Sequence, residues 1–88
     1  MQTAFTQKFK KQVDSCKDMR IRKKLLSIIE EVSAAETLSS VKNVKKLKGA
    51  HHSFRIKAGD YRVGILLDKN TIIFASFDHR SDIYKYFP

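Results

Sequence analysis

The stretch SFRIKAGDYRVGILLDKNTIIFASF, Ser53–Phe77, decides the fold. Apolar and polar residues alternate through FRIKA and again through YRVGILL, the period of a half-buried strand. Gly59-Asp60 between them suits a two-residue hairpin loop, with glycine supplying the positive φ that a type II′ turn needs first. That loop sets Ala58 opposite Tyr61, Lys57 opposite Arg62, Ile56 opposite Val63 and Arg55 opposite Gly64. Phe54, Ile56, Ala58, Tyr61, Val63 and Ile65 then share one face. Arg55, Lys57, Arg62 and Gly64 share the other.

The next turn has two readings. A three-residue loop, Asp68-Lys69-Asn70, places Leu67 opposite Thr71, Val63 opposite Ala75 and Arg62 opposite Ser76, and sends Asp78 and Arg80 to the cationic face. A two-residue loop at Lys69-Asn70 sends them to the other face. The first is preferred because it joins Arg80 to the other cations. TIIFASF is nearly continuous in apolar residues, as expected of a strand in mid-sheet or under helices.

Outward toward the start of the chain, Gln2–Thr6 reads as a short strand ending in Thr6 as a helix N-cap. Phe9, Val13 and Cys16 make one face of a helix over 7–17. Asp18 caps a second helix, whose apolar stripe is Ile21, Leu25, Ile28, Ile29, Val32 and Leu38. Residues 39–50 read as a connection anchored by Val41, Val44 and Leu47. The expected fold is α+β: a small antiparallel sheet in the order β-α-α-β-β-β, both helices on one face, one domain over 1–88.

The 88 residues carry 18 Lys and Arg against nine Asp and Glu, a formal charge of +9. Such an excess on so small a body points to a polyanionic partner. A single cysteine, Cys16, excludes an internal disulfide and suits a reducing cytoplasm. No stretch approaches the ~20 apolar residues of a membrane span, so no membrane association is expected. The placement of the cations sharpens the argument. Like charges directly opposite across a strand pair destabilise it, yet Lys57 faces Arg62. An anion between them would relieve the repulsion, and Gly64 would leave open floor beside it. A solvated face whose long stems cover apolar surface is the competing account; the cross-strand pairing favours an anion site.

KKLKGAHHSFRIKAGDYRVGI followed by FDHRSDIYKYFP resembles the RelE/ParE superfamily of bacterial toxin-antitoxin toxins. The resemblance spans essentially the whole chain. Its RelE-like members enter the ribosomal decoding site and cut messenger RNA, whereas its ParE-like members poison DNA gyrase. By position, the RelE-like reaction falls here on Arg55, Lys57, Arg62, Arg80 and Tyr84. The resemblance implies a toxin held silent by a cognate antitoxin and acting in the cytoplasm on ribosome and mRNA. Several relatives have lysine where Arg55 stands, which leaves the charge intact. Any helix after Tyr84 must be minimal.

Cleaving RNA without metal requires deprotonating the 2′-hydroxyl, neutralising the phosphorane and protonating the leaving 5′-oxygen. No cofactor is expected. Arg62 and Arg80 suit the middle task, since a guanidinium fork pairs two phosphate oxygens at once. Arg55 and Lys57 would hold phosphates, and the basic segment containing Lys48 would widen the RNA-facing surface. Tyr84 is favoured as base, with His79 or Arg80 assisting the leaving group. Histidine as a residue type suits proton transfer, but strand alternation points His79 away from Arg80 unless the strand ends at Asp78. His51-His52 with Cys16 offer no zinc-ligand spacing. Two rivals are a non-catalytic gyrase poison, which has no need of Arg62, Arg80 and Tyr84, and a plain RNA-binding domain. The second would show aromatics on its binding face, where only Tyr84 and Phe74 qualify.

Overall fold

The computed structural model describes residues 1–49 and 52–88. His51 of the paired histidines lies outside them. The element order is β1 (Gln2–Phe5), α1 (Gln7–Ser15), α2 (Met19–Ala34), a 3₁₀ turn (Leu38–Ser40), β2 (Val44–Lys46), β3 (Ser53–Ala58), β4 (Tyr61–Asp68), β5 (Thr71–His79) and a second 3₁₀ turn (Ile83–Lys85). The sheet runs β1-β5-β4-β3-β2. It is mixed rather than purely antiparallel, because β1 lies parallel to β5. A connection through two helices makes that possible, since parallel neighbours need a long crossover. β2, inside the presumed connection, adds an edge strand antiparallel to β3.

Both helices start where expected. Thr6 Oγ1 accepts from the Phe9 amide at 3.1 Å, and Asp18 Oδ1 accepts from the Arg20 and Ile21 amides. The helices bury Phe9, Leu25, Ile28 and Val32 against Ile56, Ala58, Val63, Ile65, Ile72, Phe74 and Phe77 from β3, β4 and β5. α1 ends at Ser15, and Leu38 joins this core from the 3₁₀ turn rather than from α2.

The β3–β4 hairpin has the expected register, Ala58 to Tyr61 through Arg55 to Gly64. Gly59 takes φ +61° at its turn. The β4–β5 hairpin does not have the three-residue loop. Asp68 pairs with Thr71 around Lys69-Asn70, with Lys69 at φ +57°. A bulge then intervenes. Ile65 pairs with Phe74 but Gly64 with Ser76, so Ala75 is the extra residue of β5. An unpaired residue reverses the alternation of everything beyond it. Before the bulge, Ile72 and Phe74 face the helices; after it, Phe77 and His79 do. Phe74 is thus fully buried among Phe5 and Phe9, not on the cationic face. Arg62 faces Asp78 rather than Ser76. The expected loop was wrong, but the bulge returns Asp78 to the face of Arg62.

The face away from the helices is not bare. Ile83 and Phe87 are buried there, apart from the main core. A Cβ built on Gly64 would lie 2.7 Å from Phe87 Cδ2 and Cε2. Gly64 is therefore the seat of the Phe87 ring, not open floor. Glycine is what lets an aromatic ring lie directly on the strand.

Candidate functional site

The cationic face is organised around the Gly59-Asp60 turn. Arg62 Nη1 donates to the Gly59 carbonyl at 2.8 Å and the Tyr61 carbonyl at 2.9 Å, which folds the guanidinium back over the hairpin end. The Arg80 amide donates to the Asp60 carbonyl at 2.8 Å, and its Nε lies 3.9 Å from Asp60 Oδ1. The two arginines are thereby tied to adjacent residues of one tight turn, at one corner of the sheet. Lys57 is exposed directly across from Arg62. Arg55 is two pairs further along the ladder, on the same face, its Nη1 donating to the Asn43 carbonyl at 2.8 Å. Lys48 is exposed in the turn after β2, on the far side of the sheet from Arg80.

Tyr84 stands on the 3₁₀ turn Ile83–Lys85, half exposed, in the segment that covers the Arg62 face. Its neighbour Ile83 is the anchor. His79 is placed differently. β5 runs through His79, which pairs with Tyr61 and sets its ring edge-on to Tyr61 at 5.7 Å between centroids. Its Nδ1 accepts from the Ser81 amide at 3.1 Å and contacts Ser81 Oγ at 2.8 Å. The swing that would have brought His79 to Arg80 needs the strand to stop at Asp78, and it does not. The structure brings Arg62, Arg80 and Lys57 to one corner and leaves His79 on the helix side.

A second set of side chains joins the layers around the open half of β5. β1 covers β5 only as far as Phe74. Beyond it, Gln12 Oε1 accepts from the Phe77 amide at 2.9 Å, satisfying a strand edge that β1 leaves free. Gln12 Nε2 then donates to the Tyr86 hydroxyl at 2.6 Å, and that hydroxyl donates to Asp78 Oδ2 at 2.8 Å. The Lys8 ammonium sits 3.6 Å from the Tyr86 ring centroid, a cation–π contact. Burial, and then the hydrogen bond to Asp78, push the Tyr86 phenol up to about 12. Among the described residues, no group of three or more His, Cys, Asp or Glu side chains is placed to hold a metal ion.

No family model matches the chain. A search among curated proteins finds the toxin RelE3 of Methanocaldococcus jannaschii, 46% identical over 69 residues, which are 77% of this chain and 78% of that protein. The chain belongs to the RelE family of toxins from toxin-antitoxin systems. Among solved structures, the RelB-RelE antitoxin-toxin complex from Methanococcus jannaschii superposes at TM-score 0.83 with 39% identity, covering 97% of this chain and 99% of that one. The archaeal RelE-RelB complex from Pyrococcus horikoshii gives 0.73 with 18% identity over 92% and 96% of the two chains. The YoeB dimer from Staphylococcus aureus gives 0.72 with 17% identity over 90% and 95%. The last two likenesses concern the fold alone.

Within this RelE-family chain, sequence reasoning missed the clasp formed by Gln12, Asp78 and Tyr86, and the anchors Ile83 and Phe87. The closing IYKYFP held the clue. Four of its six residues are large and apolar or aromatic, more than an exposed tail needs, and Gly64 is the complementary gap on the sheet.

Proposed function

We propose that this toxin is a ribosome-dependent endoribonuclease that cleaves mRNA through attack of the 2′-hydroxyl on the scissile phosphate, without a metal. The observation that carries the reading is the corner at Gly59-Asp60, where Lys57 and Arg62 share the face away from the helices and Arg80 is tied to Asp60. Arg62 keeps Nε and Nη2 without a protein partner among the described residues, since only Nη1 is engaged. Those donors form the fork that suits two phosphate oxygens. In this assignment Arg62 and Arg80 neutralise the phosphorane, Arg55, Lys57 and Lys48 hold flanking phosphates, and Tyr84 takes the 2′-hydroxyl proton. Arg80 assists the leaving oxygen; His79, packed on Tyr61, is left out.

The solved relative from M. jannaschii is a RelB-RelE antitoxin-toxin complex. By extension, a cognate antitoxin is the partner of this chain, and the positive field that attracts RNA would attract an acidic antitoxin too. The site of action is the cytoplasm, where ribosomes are. Mapping 5′ ends of ribosome-bound message with and without purified protein tests the activity. Arg62→Ala should abolish the new ends while leaving the melting curve unchanged, and undiminished cutting by that variant removes the assignment. Unbroken message alongside altered DNA supercoiling would replace it with gyrase poisoning.

A further inference from the structure

Asp78 is an acidic residue in a cationic site, and its position calls for an explanation. It lies directly opposite Arg62 in the β4–β5 ladder, on the same face. Paired residues of this kind have Cβ atoms about 5 Å apart, well within reach of a carboxylate and a guanidinium. Yet no ion pair joins them. Among the described residues the ion pairs are Arg80 with Asp60 and Lys85 with Asp82. The Asp78 carboxylate instead turns outward past the edge of β5. Oδ2 accepts from Tyr86, and Oδ1 accepts from the His79 amide at 2.8 Å. Asp78 there lines a cavity of about 360 Å³ with Lys11, Gln12 and Phe77.

We propose that Tyr86 is a positioning residue that acts through Asp78: by holding that carboxylate at the β5 edge, it keeps Arg62 free to bind a phosphate of RNA. The idea rests on the reading of Arg62 as a phosphate-binding residue given above. The hydroxyl can do this because Gln12 donates to it, which leaves its own proton for Asp78. The raised phenol pKa means that this proton stays in place throughout the physiological range. Without the hydroxyl, Asp78 Oδ2 loses its outward partner, and the guanidinium directly opposite it in the ladder is that of Arg62.

The test uses Tyr86→Phe, Asp78→Asn and the double variant of the whole chain. Phenylalanine keeps the ring and its contact with Lys8 but removes the proton. Binding of a labelled single-stranded RNA is followed by fluorescence anisotropy. Tyr86→Phe should weaken binding about fivefold, roughly what a partly exposed ion pair is worth. Adding Asp78→Asn should return the affinity to that of Asp78→Asn alone. The Arg62 Nε–H resonance gives a readout that needs no RNA. It should shift, and exchange more slowly with water, in Tyr86→Phe, and revert in the double variant. If the wild-type chain binds no free RNA, the proposed function still stands or falls on the mapped 5′ ends of ribosome-bound message, and the Arg62 resonance alone decides this inference. Wild-type affinity with an unmoved resonance in Tyr86→Phe overturns it. So does a loss of affinity, or of fold, that persists unchanged in the double variant, because Tyr86 would then be purely structural.

Discussion

Replacing Gly64 with alanine isolates the layer that the C-terminal segment lays over the sheet. The added methyl would stand 2.7 Å from two carbons of the Phe87 ring and 3.0 Å from a third. Carbon atoms settle at about 3.5–4.0 Å, so the ring must retreat by roughly 1 Å or leave. Phe87 is only 7% exposed, so leaving forfeits most of its burial, about 1.5–3 kcal/mol. Staying strains the site by about 1–3 kcal/mol. Against either cost, alanine in a strand is favoured over glycine by roughly 0.5–1 kcal/mol. The net loss is therefore about 1–2 kcal/mol. In a domain of this size that lowers the melting temperature by roughly 4–8 °C per kcal/mol. Urea unfolding of Gly64→Ala, Phe87→Ala and the double variant measures it. In the Phe87→Ala background the methyl has nothing to strike, so Gly64→Ala should be neutral or mildly stabilising there. A coupling energy near zero between the two positions would refute the seating of Phe87 on Gly64.

Thr6→Ala removes both the cap on α1 and a hydrogen bond to the Ala75 carbonyl at 3.0 Å; it should cost about 1–2 kcal/mol in urea unfolding, where Thr6→Ser should cost much less. Lys69→Gly relieves a left-handed residue in the β4–β5 turn; the relief of about 1 kcal/mol slightly exceeds the entropy of glycine, so the midpoint should rise a little. The Tyr86 phenol is raised in the folded chain, so its contribution is whole below the ordinary value near 10 and fades as pH climbs toward about 12. The stability gap between wild type and Tyr86→Phe should accordingly narrow across that window and hold steady below pH 9.

The sequence was most legible where a turn has one solution. Gly59-Asp60 admits a single short hairpin, and the register of β3 against β4 followed from it residue for residue. Thr6 and Asp18 were equally plain, because a capping side chain is a local device. β5 was harder. No residue in TIIFASF marks Ala75 as a bulge, since what selects it is the need to bury Phe74 and Phe77 on one face. β2 escaped notice because Val44–Lys46 is three residues long and mostly lysine, which suits an exposed edge but has no period to read. Arg55, Lys57, Arg62 and Gly64 take the register read for them on β3 and β4. The open floor expected at Gly64 and the swing of His79 toward Arg80 were misjudged, because one depends on a segment distant in the chain and the other on where a strand ends.

β1 and β5 meet across nearly the whole described length: Thr6 bonds Ala75, 69 positions on. While the polypeptide is being synthesised, Gln2–Phe5 has no partner until the residues after Thr71 emerge. Ile83 and Phe87 arrive later still. Pairings of such span are slow to close, so β1 joins the sheet of a nascent copy after the local hairpin that carries Lys57 and Arg62. Each newly made molecule passes through a stage when its charge is present but its architecture is not.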